Sequence, residues 1–89
     1  MKYIMFKCDL GALTQYIPVI FPAVLVHDEV AKAVRKALPI HNGGIWEVNS
    51  AGEVDAAYNV SGRSETLNID HDKADEKRIL MADYGGLFE

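Results

Sequence analysis

The spacing of apolar residues changes within the first third of the chain. Lys2–Phe21 reads as two extended stretches with a period of two, whereas Asp28–Leu38 carries its apolar residues at helical spacing: Val30, Val34 and Leu38. A period of two places side chains on alternate faces of a strand, and a period near 3.6 places them on one face of a helix. The change therefore predicts a small α+β domain.

The first two strands are predicted to form a hairpin. Lys2–Cys8 is rich in aromatic and branched residues, which favour strands. Asp9–Ala12 supplies the turn, in which Gly11 can adopt a positive φ without strain. The second strand is Thr14–Phe21, and Pro18 within it cannot donate a hydrogen bond to a neighbouring strand. We therefore expect this strand at a sheet edge or at a bulge.

Asp28–Leu38 is predicted to be a helix. Its acidic residues lie near the start and its basic residues towards the end, as the helix dipole favours. His27 or Asp28 is expected to cap it, and Pro39 to end it. His41–Gly44 is interpreted as a loop.

The next part of the chain is predicted to form a meander of three short strands. The strands are residues 45–49, 54–60 and 65–69, because short apolar stretches alternate with glycine-containing segments. Their turns are expected at Ser50–Gly52 and Ser61–Ser64.

The last element is predicted to be a helix over Asp72–Ala82. Asp70 or Asp72 would cap it, and it would end near Gly85-Gly86. A short helix followed by an extended tail is the alternative. Residues 1–89 are thus expected to form a single α+β domain, an antiparallel sheet of about five strands in the order ββαβββα with helices on one face.

Composition and charge narrow the possible partners. The chain is 49% hydrophobic and 25% charged, as in an ordinary globular protein. Its formal net charge of −4 argues against direct nucleic-acid binding, which requires lysine and arginine to replace phosphate counterions. Acidic residues outnumber basic ones in residues 53–89, so a partner steered by charge would be basic. The alternative is an acidic face that only aids solubility.

The cysteine content and the apolar runs indicate a cytoplasmic protein. Cys8 is the single cysteine, which excludes a disulfide or a CxxC pair within the chain, and its apolar surroundings predict a buried thiol. The longest uncharged run, Tyr16–Val26, is too short to span a bilayer and contains two prolines. No signal-peptide pattern is recognisable, so we expect no membrane contact.

No catalytic or metal-binding motif is recognisable. His27–Glu29 and Asp70–Asp72 place an imidazole beside carboxylates, the donors of many metal sites. Both segments lie where helices are expected to begin, where acidic residues are favoured for capping alone. Adjacent residues of a helix also point in different directions. We therefore predict no catalytic residues, no bound metal and no cofactor.

Two surfaces are predicted to bind proteins. The first combines acidic residues of the C-terminal helix with an arginine at a hairpin tip: Asp72, Asp75, Glu76 and Arg63. The second is the apolar face of the first hairpin, which stays exposed if both helices cover the other face: Tyr3, Met5, Tyr16 and Ile20. An exposed apolar patch usually marks an interface, so this surface predicts self-association as a homodimer. Alternatively, a loop or the C-terminal tail covers it, with Tyr84, Leu87 and Phe88.

Five segments spread over the chain carry a resemblance: KYIMFKCDLGALTQYIPVIFP, VHDEVA, SAGEV, SGRSETLNI and DYGG. They resemble segments of small proteins encoded in phages and in proteobacterial prophage regions. That group has no assigned activity, so the resemblance carries over no functional residue. It implies a bacterial cytoplasm and an accessory role.

These patterns together favour a non-enzymatic protein-interaction domain with a capacity to self-associate. Its partner would be a host or phage protein with a basic surface. The alternative is a small-ligand binder, or an enzyme whose site forms between subunits from Tyr84, Arg63 or the histidines.

Overall fold

Six strands and two helices make up the described part of the chain. The computed structural model describes residues 1–38 and 45–82. The elements in chain order are β1 (Lys2–Leu10), β2 (Leu13–Phe21), α1 (His27–Ala37), β3 (Trp46–Val54), β4 (Val60–Ser61), β5 (Arg63–Ser64), β6 (Ile69–Asp70) and α2 (Asp75–Met81). The class is α+β, as predicted.

Strands β1 and β2 form the predicted hairpin. Leu10 pairs with Leu13 across a turn in which Gly11 has a φ of +74°. Strand β2 is the edge of a four-stranded antiparallel sheet in the order β2-β1-β3-β4, which confirms the edge position expected from Pro18. Hydrogen-bonded and non-hydrogen-bonded pairs alternate from the loop, so Pro18 opposite Met5 falls at a non-hydrogen-bonded pair. The N–H that proline lacks would therefore point away from β1.

The turn predicted at Ser50–Gly52 is wrong, because β3 runs through it. Strand β3 pairs with β1 along Trp46–Glu53, with a register shift between Met5 and Phe6. Gly52 lies inside this strand, where an added Cβ would collide with the backbone oxygen of Ser61. Glycine here permits a close approach of two backbones rather than a turn.

The other two predicted strands of the meander are also wrong. Residues 55–59 form the turn before β4, which contains only Val60 and Ser61. Strands β5 and β6 pair with each other in a second, two-stranded sheet. The predicted turn at Ser61–Ser64 therefore contains the end of β4 and the whole of β5, and the tip of the small hairpin lies at residues 65–68. Four paired strands replace the expected five in the main sheet.

The helices pack on opposite faces of the main sheet, which corrects the prediction of one covered face. One buried cluster joins β1 and its neighbours to α1: Ile4, Phe6, Cys8, Phe21, Ala31, Trp46 and Ala51. The other joins the alternate side chains of the sheet to α2: Tyr3, Met5, Val54, Val60 and Ile79. Because successive residues of β1 belong to different clusters, each face of this strand is covered. Cys8 is buried, as predicted.

The predicted helix ends need correction. Helix α1 is preceded by Val26 without a side-chain cap, and His27 is its buried first residue. The His27 Nε2 donates to the carbonyl of Gly52 at 3.0 Å, so this side chain joins α1 to the sheet instead of capping it. The predicted stop at Pro39 and the loop at 41–44 lie outside the described residues.

Helix α2 has seven residues and is shorter than predicted. Ala74 precedes it without a side-chain cap, and Asp72 Oδ1 accepts a hydrogen bond from the Ala74 N–H at 3.0 Å. Asp72 therefore stabilises the turn before the helix, and Asp70 lies in β6. The predicted end at Gly85-Gly86 lies beyond the described residues. Neither helix in the described ranges is long and apolar enough to cross a membrane.

Candidate functional site

Asp75, predicted to bind a partner, is the first residue of α2, and its side chain is fully buried. Its Oδ2 accepts hydrogen bonds from the Tyr3 hydroxyl at 2.7 Å and from the Ser50 hydroxyl. Its Oδ1 accepts from Arg78 Nη1 at 2.8 Å. The prediction of an exposed Asp75 is therefore wrong. We call Tyr3, Ser50, Asp72, Asp75 and Arg78 the Asp75 cluster.

Arg78 supplies the positive charge of the Asp75 cluster. Its Nη1 also donates to Asp72 Oδ2 at 3.2 Å, and its guanidinium lies 3.9 Å from the centre of the Tyr16 ring. Burial lowers the pKa of Arg78, but its hydrogen bonds to Asp75 and Asp72 outweigh burial and raise it. Two carboxylates and an aromatic ring thus hold one arginine from the same chain.

The tyrosine of this cluster is held in its neutral form. Burial raises the pKa of Tyr3 well above 10.0, and the hydrogen bond to Asp75 and the charge of that carboxylate add to the effect. The hydroxyl of a neutral Tyr3 donates a hydrogen bond to the Asp75 carboxylate. Tyr3, Ser50 and Asp75 are all buried. The Asp75 cluster therefore joins α2 to β1 and β3.

The hairpin face predicted to self-associate is covered by α2. Tyr3 and Met5 are fully buried, while Tyr16 and Ile20 are partly buried against the same cluster as Ile79. The prediction that these side chains form an exposed patch is wrong, because α2 packs on the face opposite α1. Tyr84, Leu87 and Phe88, proposed as an alternative cover, lie outside the described residues.

The remaining predicted partner-binding residues are engaged within the chain. Glu76 Oε2 accepts from Lys73 Nζ at 2.8 Å and from the Val60 N–H at 2.9 Å, and these two bonds lower the pKa of Glu76. The pKa of Asp72 is lowered mainly by the hydrogen bond from the Ala74 N–H and also by Arg78. Both carboxylates therefore stabilise α2 and its entry.

Arg63 lies in β5 rather than at a hairpin tip. It donates to the Asn68 side chain and forms ion pairs with Asp70 at 3.6 Å and Glu65 at 3.9 Å. Its neighbours belong to the same small hairpin, so Arg63 holds β5, β6 and their turn together.

The sequence patterns missed the turn at residues 55–59. Asp55 Oδ1 accepts from the N–H groups of Ala57 and Asn59, both at 2.9 Å, and its Oδ2 accepts from Asn59 Nδ2 at 3.3 Å. These bonds, that of the Asn59 N–H above all, lower the pKa of Asp55. Aspartate and asparagine commonly build such turns, and this signal was hidden by the apparent alternation over 54–60.

This turn presents Tyr58 to solvent in a strained backbone conformation. Tyr58 has a φ of +65° and is 46% exposed. A positive φ is rare for a bulky residue and costs about 1 kcal/mol. Strained residues of this kind concentrate at functional sites. Tyr58 therefore marks the surface beside it as the candidate functional site.

A groove lies beside Tyr58. It has two adjoining parts that share Met1, Val54 and Asp55, with volumes of about 400 Å³ and about 300 Å³. The larger part is completed by Ile20, Ala56 and Tyr58, and the smaller part by Ala23, Glu53 and Ser61. We call the two parts together the Tyr58 groove.

The side chains of the Tyr58 groove carry negative charge. Glu53 and Asp55 line it. Within residues 1–38 and 45–82, the exposed Glu53 carboxylate makes no hydrogen bond and no ion pair. Lys73 contributes to the low pKa of Asp55, but its ammonium is paired with Glu76. The groove is therefore an open, acidic and partly apolar surface.

The described histidines bind backbone oxygens and assemble no metal site. His71 Nδ1 lies 2.6 Å from the carbonyl of Gly62, and His27 is bonded to Gly52. Across the two described ranges, no three His, Cys, Asp or Glu side chains gather as possible metal ligands. His41 lies outside these ranges.

Comparison with known proteins gives no relative. No family model, curated protein or solved structure matches this chain. A functional proposal therefore depends on the geometry of the chain itself.

Proposed function

We propose that this protein is a non-enzymatic interaction domain that binds a basic protein partner through the Tyr58 groove. The observation that carries the proposal is the exposed Tyr58 side chain, fixed at a φ of +65° by the Asp55 turn above an open groove. Tyrosine is enriched at the centres of protein interfaces, because a large ring is immobilised there at a low entropy cost. A rigid turn reduces that cost further.

Charge supports a basic partner. Glu53 is unpaired among the described residues, and the chain as a whole carries a net charge of −4. A basic surface would be steered towards the groove, whereas phosphate groups of a nucleic acid would be repelled. A two-fold dimer through this groove would bring two acidic linings together, so a different protein fits it better than a second copy.

The biological setting is also a proposal. The sequence resemblance supports an accessory protein of the phage or prophage type, acting in a bacterial cytoplasm. In that setting the partner would be a host or phage protein with a basic surface.

Blocking the groove tests the proposed function. Ala56→Arg places a long cationic side chain on the larger part of the groove, and Ala33→Arg makes the same change on the exposed side of α1. We expect that a bacterial protein captured by the wild-type chain and by the Ala33→Arg variant is not captured by the Ala56→Arg variant. The purified partner should likewise bind the wild-type chain and Ala33→Arg but not Ala56→Arg. Equal binding of both variants by every captured partner would contradict the proposal.

A small-molecule site is the second candidate, because about 400 Å³ lies within the range of ligand pockets. A thermal-shift screen with nucleotides and common metabolites tests it. A compound that raises the melting temperature of the wild type and of Ala33→Arg, but not of Ala56→Arg, would favour this candidate over a protein partner.

A further inference from the structure

We infer that the Tyr58 groove binds an extended segment of its partner in which one arginine is flanked by apolar residues. This inference rests on the proposed function and names the chemistry that the groove would recognise. Its occupant is a peptide segment of a protein, bound by ring stacking, by carboxylates and by apolar contact.

The chain contains its own example of an arginine held in this way. In the Asp75 cluster, Arg78 lies 3.9 Å from the centre of the Tyr16 ring and donates to Asp72 and Asp75. A planar guanidinium can stack on a ring and still donate to carboxylates at its edge, which an ammonium cannot do.

The Tyr58 groove has the same kinds of group without the arginine. Tyr58 offers an exposed ring, and Asp55 and Glu53 offer two carboxylates. Asp55 Oδ2 accepts one hydrogen bond, a long one of 3.3 Å from Asn59, and so keeps room for another donor. Glu53 is free to accept, since no described residue pairs with it. An arginine from outside would complete the set.

Exposed apolar side chains border the groove and fit apolar residues on either side of that arginine. Met1 is 59% exposed between the two parts of the groove. Ala23 lines the smaller part, and the next residue, Val24, is 86% exposed. Lys2 Nζ donates to the Leu25 carbonyl at 2.8 Å, which fixes this apolar turn against β1. Ile20 and Ala56 provide the apolar lining on the Tyr58 side.

Matched peptides test the inference on the full chain labelled with ¹⁵N. The probe is acetyl-Val-Leu-Arg-Leu-Val-amide, and its control replaces arginine by citrulline, which keeps the shape and loses the charge. We expect saturable shifts of amide signals in residues 1–2 and 53–61. The citrulline peptide should bind about fivefold more weakly than the arginine peptide, because it loses a partly exposed ion pair.

A variant of the protein tests the same point from the other side. Glu53→Gln should weaken binding of the arginine peptide about threefold, and the difference should shrink in high salt. Glu47→Gln, an exposed β3 residue outside the groove, should bind as the wild type does. The folded spectrum of each variant shows whether the fold is kept.

The outcomes separate the inference from the proposed function. Equal binding of the arginine and citrulline peptides, or shifts outside the groove, would overturn the inference and leave a protein-binding groove standing. Loss of the difference between Ala56→Arg and Ala33→Arg in partner binding would overturn the proposed function itself.

Discussion

The Asp75 cluster and the Tyr58 groove combine the same kinds of side chain in opposite environments. In the cluster, Arg78 of α2 donates to Asp72 and Asp75 and stacks on the neighbouring Tyr16 ring, and Asp75 is fully buried. In the groove, Tyr58 and two carboxylates face solvent.

The difference shows which polar groups the fold itself requires. A buried carboxylate without partners would destabilise the folded state, so the chain supplies Tyr3, Ser50 and Arg78 to Asp75. An exposed carboxylate is satisfied by water, so Glu53 needs no partner for folding. Under the proposed function, this carboxylate would instead serve to bind a partner.

The largest expected effect comes from removing Asp75. Asp75→Ala leaves Tyr3, Ser50 and Arg78 without their shared acceptor, and should lower the free energy of unfolding by about 3 kcal/mol. Urea unfolding at neutral pH measures this change. Asp70→Ala removes a carboxylate from an exposed ion pair with Arg63 and should cost about 0.5 kcal/mol. Similar losses for the two variants would show that the cluster is not a closed structural unit.

Removing the Tyr3 hydroxyl should have a smaller effect with a distinct pH dependence. Tyr3→Phe loses a hydrogen bond to a buried carboxylate, worth about 2 kcal/mol near neutral pH. Because the pKa of Tyr3 is raised in the folded state from 10.0, its contribution is fully present below pH 10. Above that pH the unfolded chain releases the proton first, so stability falls as the pH rises.

The measurement for Tyr3 is the unfolding free energy from pH 7 to pH 11. The wild type should lose stability above pH 10, and Tyr3→Phe should show a flatter decline. Tyr58→Phe keeps Tyr3 and should follow the wild-type profile. An unchanged slope in Tyr3→Phe would remove the argument that burial holds this tyrosine neutral.

The sequence predicted those elements whose side-chain period is unambiguous. The hairpin of β1 and β2, the edge position of β2 and the helix α1 follow from alternation, from Pro18 and from helical spacing. Gly52 misled the prediction, because glycine is equally suited to a turn and to a close approach inside a strand. Whether such a glycine lies in a turn or inside a strand depends on the residues that pack against it, and the local sequence does not specify them.

The candidate site was harder to predict than the fold. Asp75 looks like an exposed acid because its partners, Tyr3 and Ser50, are far away in the sequence. Tyr58 looks like an inward-facing strand residue because Val54, Ala56 and Val60 share its spacing. The hydrogen bonds from the backbone to the Asp55 side chain favour a turn over the strand that the alternation predicts.

Substitutions of the exposed Tyr58 should change stability less than substitutions of the buried Asp75 and Tyr3. Tyr58→Gly removes the ring and the steric cost of a positive φ, whereas Tyr58→Ala removes the ring and keeps that cost. Tyr58→Gly should therefore be more stable to urea than Tyr58→Ala, by up to about 1 kcal/mol. Both variants should lose partner binding. If the glycine variant is less stable than the alanine variant, the backbone at Tyr58 is not strained. The proposal that the turn holds Tyr58 in place for binding would then be contradicted.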